Sequence, residues 1–189
     1  VSTQVGCAMA CGFCLTGKMG LVRNLTAGEI AGQVRVLAKA TDLLDKPFNI
    51  VLMAMGEPLH NYDNTMKALR MLHAEHGLAV SPRRITLSTV GIVPGLERLA
   101  REPLMPNLAI SLHASTEEQR DALVPVNRKY GLEDILNAAR MFPLPRRSVA
   151  GVRRTAPRSA PRSMPRFATA WTSSTSRAAA RRPTRRTTR

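Results

Sequence analysis

The feature that most constrains this chain is a regular alternation of short apolar runs with longer amphipathic ones. Asn49–Met53, Arg84–Ser88 and Asn107–Ser111 have the length and apolar character of buried strands. Ser2–Val5 reads as a further short strand ahead of them. Helical patterns occupy Thr26–Lys39, Asp63–His76, Pro94–Arg101, Gln119–Leu123 and Leu132–Phe142. Thr26 and Glu29 fit an S/T-x-x-E capping box, and Ser115 with Glu118 repeats that pattern before Gln119. Pro94 suits a first helical turn, whereas Pro143 stops the last helix. Strands alternating with helices at this spacing imply βα units and a parallel sheet, so the fold class is α/β. Four units are visible, neither a closed barrel nor a finished doubly wound sheet. The expectation is a sheet cut short, poorly soluble through its open edge, with an N-terminus that is missing, since residue 1 is Val.

Charge divides the chain in two. The formal net charge is +15, which would ordinarily point to a nucleic-acid partner. Residues 143–189, however, hold 13 Arg and no Lys, Asp or Glu, a charge of +13. Residues 1–142 hold 15 basic and 13 acidic residues, leaving +2. Any RNA-binding argument from overall charge is therefore an argument about the tail. Arg, Ala, Pro, Ser and Thr make up 40 of its 47 residues, too little apolar surface to offset chain entropy, so disorder is expected there. An arginine-rich RNA-binding arm is one reading of this tail. Out-of-frame translation of a GC-rich gene is the reading favoured, because the change of composition after Phe142 is abrupt. No apolar run approaches the roughly 18–20 residues that span a bilayer, and no secretory signal is visible, so the expected location is cytoplasmic.

One connection is unusually long. From Gly6 to Leu25 about 20 residues show no clear periodicity, and long loops in compact domains are usually functional. This loop carries all three cysteines, Cys7, Cys11 and Cys14, in the order C-x3-C-x2-C. An odd count in such a chain argues against a disulfide framework. Three thiolates on one loop can reach three corners of a cubane iron–sulfur cluster and leave the fourth iron open, with Gly12 permitting the tight turn. Zinc with His60 or His113 as fourth ligand is the alternative.

Other candidates gather at strand ends. Gly56 and Glu57 of M-G-E-P-L follow the run Asn49–Met53; glycine permits close approach, and a carboxylate can accept a hydrogen bond from a ligand ammonium. Ser88 ends the next run, and Ser111, Leu112 and His113 end the one after it. Hydroxyls and an imidazole there suit a ribose or a carboxylate. All of them, with the cysteine loop, follow strands, the end at which parallel barrels place their active sites. By contrast, His73 and His76 lack further ligands, Met53, Met55, Met66 and Met71 read as core filler, and Arg83–Arg84 and Arg128–Lys129 read as solvated surface.

Taken together, these stretches resemble the RlmN/Cfr family of radical S-adenosylmethionine (SAM) RNA methyltransferases, and its RlmN branch in particular. The matching segments are VSTQVGCAMACGFCLTGKMGLVRNLTAGEIAGQV, MAMGEPLHNYDN, RRITLSTVGIVPGL and LAISLHASTEEQRDALVPVNRKY. The resemblance implies a partial parallel (β/α) barrel of six units over residues 1–142. It implies a [4Fe–4S] cluster on Cys7, Cys11 and Cys14 whose open iron chelates SAM, with Gly56, Glu57, Ser88, Ser111, Leu112 and His113 completing the SAM site and Glu57 facing the ammonium. Family members methylate C2 of an adenine in 23S rRNA, and RlmN-type members also act on tRNA. One SAM methylates a cysteine, a second yields a 5′-deoxyadenosyl radical, and the methyl-cysteine then adds to the base. An electron donor such as flavodoxin or ferredoxin, a monomer and no membrane are implied as well. Both catalytic cysteines of the family pattern fall outside what is present here, so the expected catalytic set is empty and the chain is read as an inactive fragment. The readings kept beside this one are a Cys3His zinc module with a basic arm and a radical SAM enzyme acting on another substrate.

Overall fold

A computed structural model describes residues 1–143; the arginine-rich tail, with the expectations of disorder or altered frame placed on it, lies outside the described residues. The strands are β1 (Gln4–Gly6), β2 (Leu21–Asn24), β3 (Ile50–Leu52), β4 (Ile85–Thr89) and β5 (Asn107–Ile110). The helices are α1 (Leu15–Lys18), α2 (Ala27–Ala40), α3 (Tyr62–His73), α4 (Val93–Leu99), α5 (Glu117–Leu123) and α6 (Leu132–Met141). Strands β3, β4 and β5 form a parallel sheet in that order, and helices follow each of them. The described residues thus form part of a parallel (β/α) barrel. Among them no helix is long and apolar enough to cross a membrane.

The first strand departs from expectation. Instead of opening the parallel sheet over Ser2–Val5, the chain pairs β1 antiparallel with β2, Gln4 opposite Asn24. The residues before β1 nevertheless run along the edge of β3. The Val1 ammonium donates to the Val51 carbonyl at 2.8 Å, and Thr3 N donates to Met55 O at 2.8 Å. The long loop is also less irregular than its sequence suggests, since it contains α1 and β2. All four residues of β2 are exposed, so no alternation of burial marked that strand.

Elsewhere the local chemistry behaves as read. Thr26 caps α2, its side chain accepting from Glu29 N while the Glu29 carboxylate accepts from Thr26 N. At α5 the cap is Thr116, which accepts from Gln119 N, and not Ser115; the pattern was displaced by one residue. Helix α3 ends at His73, short of His76, where the chain turns out to an extended Ala74.

Pairing in register puts Ile50 beside Ile85, Leu52 beside Leu87, and Leu87 in turn beside Leu108. These residues face Val34 of α2, Met66, Leu69 and Leu72 of α3, and Leu96 and Leu99 of α4 in the core. Burying one such side chain fully contributes about 1.5–3 kcal/mol. The alternate positions Val51, Thr86 and Asn107 share the opposite face, as do Ser88 and Ala109. Met53 is exposed by the same alternation and Met71 lies on the open side of α3. The expectation of core filler therefore holds for Met66 and fails for these two.

Candidate active site

The cysteine loop is fixed at both ends by backbone bonds. Cys7 N donates to Gly20 O at 2.9 Å and Cys14 N to Cys11 O at 3.0 Å. Gly6 sits at φ +78°, and a Cβ there would lie 1.8 Å from Gly20 O, so only glycine fits. Midway, Gly12 N donates to Leu123 O of α5 at 2.9 Å. Cys7 and Cys11 are buried, Cys14 is half-buried, and all three are free. Burial pushes the Cys11 thiol up to about 11, with the neighbouring Cys7 and Cys14 adding to the rise. Cys7 is raised mainly by burial, and Glu57 and Cys14 add to it. Among the described residues no group of three or more His, Cys, Asp or Glu is arranged to hold a single metal ion.

Gly56 and Glu57 follow β3 as expected. Gly56 adopts φ +97° and packs directly on Gln4. Glu57 is neither solvated nor free: it is 3% exposed. Its Oε1 accepts from Leu59 N at 3.0 Å and its Oε2 from Val90 N at 2.9 Å. Burial raises its pKa, against the opposing hydrogen bonds from Val90, Thr89 and Leu59. The carboxylate thus clamps the loop after β3 to the loop after β4. Each oxygen accepts one backbone bond, and a carboxylate has about four lone-pair sites, so acceptor capacity remains on Glu57.

Ser88 and Ser111 meet across the strand ends, Oγ to Oγ at 3.2 Å, on the face away from the helices. His113 takes φ +59° and lies with its ring 4.4 Å from that of Phe13 in the cysteine loop. Burial and the nearby Arg120 both hold its pKa below the ordinary value. Ala10, in the same loop, has φ +51°. Left-handed backbone at non-glycine residues costs about 1–2 kcal/mol each, and such strain gathers where surroundings over-determine a conformation. His60, considered as a zinc ligand, has its Nδ1 3.0 Å from Gln4 Nε2.

Several supporting residues went unseen in the sequence. Gln4, 1% exposed, accepts from Glu57 N at 2.9 Å and donates to Asn24 at 2.7 Å. Asn61 donates to the carbonyls of Thr3 and Leu25 at 2.7 and 2.8 Å. Arg120 is fully buried, bonded to the carbonyls of Val90, Ser111 and Leu112 and to Asn127. For Arg120 the sequence held no helical signal of burial, since α5 ends at Leu123 and Asn127 follows Pro125 in a separate turn.

Residues 1–143 match the family model of the radical SAM superfamily, and the chain belongs to that superfamily. Its relatives narrow the comparison. It is 50% identical over 147 residues to the dual-specificity RNA methyltransferase RlmN of Pelobacter propionicus, covering 78% of this chain and 41% of that protein. With RlmN of Geobacter sulfurreducens the identity is 53% over 148 residues, covering 78% and 39%. A crystal structure of a radical SAM methyltransferase from Sphaerobacter thermophilus superposes with a TM-score of 0.73 at 50% identity, over 75% of this chain and 42% of the other. The chain thus spans about two fifths of the length of the curated relatives it matches.

Proposed function

We propose that residues 1–142 are the cluster- and SAM-binding part of an RlmN-type methyltransferase that modifies C2 of an adenine in 23S rRNA and in tRNA through a methyl-cysteine. The observation that carries this reading is a loop of three free thiols packed through Phe13 on His113, which follows the strand end carrying Ser111 of the Ser88–Ser111 pair, with Glu57 joining the neighbouring strand-end loops. The donor set fits a [4Fe–4S] cluster: three free, soft thiols on one loop, each able to take a different iron. Bound there, the cluster would supply the electron that cleaves SAM.

The chain's own residues do the binding. Cys7, Cys11 and Cys14 hold the cluster, while Gly56 and Glu57 shape the edge that receives the methionine end of SAM. Ser88, Ser111, Leu112 and His113 line the rest of the SAM site. RNA as substrate is supported by the relatives' names and by identity of about one half; a flavodoxin- or ferredoxin-like electron donor, a monomeric state and a cytoplasmic location belong to the same proposal. No residue of this chain is assigned the role of either catalytic cysteine. The arginine-rich residues 143–189 are assigned no part in the site.

Anaerobic reconstitution with iron and sulfide tests the reading. A brown protein that holds both, loses them on Cys11→Ala, and binds SAM more tightly than the apo form is expected. Stoichiometric zinc without iron would overturn it in favour of a zinc module.

A further inference from the structure

Arg120 is the one fully buried charged side chain named among the described residues, and none of its hydrogen bonds reaches a carboxylate. Nε donates to Asn127 Oδ1 at 2.8 Å and Nη2 to Val90 O at 2.6 Å. Nη1 serves Ser111 O at 3.3 Å and also Leu112 O. The nearest acids stand one residue further out: Asn127 passes its own amide hydrogens to Glu117 and Asp121, each at 2.7 Å. A buried guanidinium stays protonated, and burying charge without a bonded counter-charge is costly. Four acceptors, Asn127 Oδ1 and the carbonyls of Val90, Ser111 and Leu112, take up the fork of the guanidinium, and its positive charge is left to act on what lies beside it. The cysteine loop lies against the same elements: helix α5 accepts from Gly12 N, between Cys11 and Cys14, through Leu123 O, and His113, which follows the Leu112 carbonyl that Arg120 holds, packs its ring 4.4 Å from that of Phe13.

We propose that Arg120 is a positioning residue for the cluster-and-SAM site that also tunes the cluster: it holds the ends of β4 and β5 through their carbonyls and sets a fixed positive charge behind the cysteine loop, making the bound cluster easier to reduce. This rests on the reading that Cys7, Cys11 and Cys14 hold an iron–sulfur cluster. Reduction adds one electron to an already anionic assembly, and a fixed positive charge in low dielectric favours the more negative state.

The test uses the whole 189-residue chain, reconstituted anaerobically and titrated with titanium(III) citrate as one-electron reductant, with the reduced cluster followed by electron paramagnetic resonance. Arg120→Gln should take up iron and sulfide as the parent does, yet show a reduction equilibrium constant about tenfold lower, a shift of about 59 mV for one electron. Arg120→Lys, which keeps the charge but not the fork, should stay near the parent potential while binding SAM less tightly. A cluster-loaded Arg120→Gln with the parent potential overturns the inference, as does an equal shift in Arg120→Lys. Should Arg120→Gln fail to fold, as judged by circular dichroism, Arg120→Met serves as the neutral variant under the same criteria. A parent chain that takes up no iron and sulfide sinks the cluster reading itself, a separate and recognisable outcome.

Discussion

Replacing Gly56 by alanine should destabilise the chain by about 2–5 kcal/mol, and the reason is local. At φ +97° an L-residue pays roughly 1–2 kcal/mol for left-handed backbone. The added methyl would also lie 2.5 Å from Gln4 Cβ, 2.7 Å from its Cγ and 2.8 Å from its backbone N. The nitrogen belongs to a paired strand and cannot swing aside as a side-chain tip would. Overpacking of this kind adds about 1–3 kcal/mol. Displacing Gln4 also weakens the 2.9 Å bond from Glu57 N to its side-chain oxygen, so SAM affinity should fall with stability. Gly28 makes a sharp control. It lies inside α2 with nothing within 4 Å of its added Cβ, so Gly28→Ala should stabilise by about 0.5–1 kcal/mol through backbone entropy. Urea unfolding followed by circular dichroism reports both, read as midpoint shifts at constant slope. A Gly56→Ala midpoint at or above the parent's would refute the steric argument, as would both alanines moving the midpoint in the same direction.

Four further substitutions probe other links. Asn61→Leu strands two buried carbonyls, those of Thr3 and Leu25, and should cost about 2–6 kcal/mol at roughly 1–3 for each group, measurable in the same urea series. Leu87→Ala, at a position with no solvent exposure between sheet and helices, should lose about 2–5 kcal/mol; a loss below that range would mean the site collapses on the gap. Thr26→Ala should cost about 1 kcal/mol by removing the cap of α2, seen as a lower thermal midpoint. Glu29 titrates at about 2, lowered first by the Arg23 side chain and then by Thr26. A depressed acid contributes stability above its unfolded pKa, so Glu29→Gln should be most destabilised above about pH 4.3. The deficit should fade as pH falls toward about 2; a carboxyl resonance titrating in the ordinary glutamate range would contradict the pairing.

What the sequence made legible follows from where information lies along a chain. Helix and strand periods are local, so α2, α3, β4 and β5 could be placed within a few residues. Cysteine spacing is local too, because one loop supplies all three thiols. Strand β2 escaped because Leu21, Val22, Arg23 and Asn24 are all exposed and carry no alternation to read. The polar supports escaped for another reason. Gln4 and Glu57 are 53 residues apart, Asn61 reaches back 58 residues to Thr3, and Arg120 meets Val90 across 30. Most of these contacts end on backbone atoms, which every residue possesses, so no partner residue type betrays them.

Those supports also explain why the candidate site is one object although its parts come from distant segments. Gln4, at the start of the cysteine-bearing connection, accepts from Glu57 N. Glu57 accepts from Val90 N, and Val90 O accepts from Arg120. Arg120 reaches on to Ser111 and Leu112, and its helix returns to the cysteine loop through Leu123 O and Gly12 N. The bonds close a circuit through the ends of β1, β3, β4 and β5. Individually such bonds contribute about 0.5–1.5 kcal/mol; in a closed circuit each one narrows the positions open to the next. A loop of free thiols gains little from intrinsic preference, given the strain at Ala10 and the burial of Cys7 and Cys11. Its geometry is set by the elements it is tied to, through Gly12 N to Leu123 O and through the ring of Phe13 against that of His113.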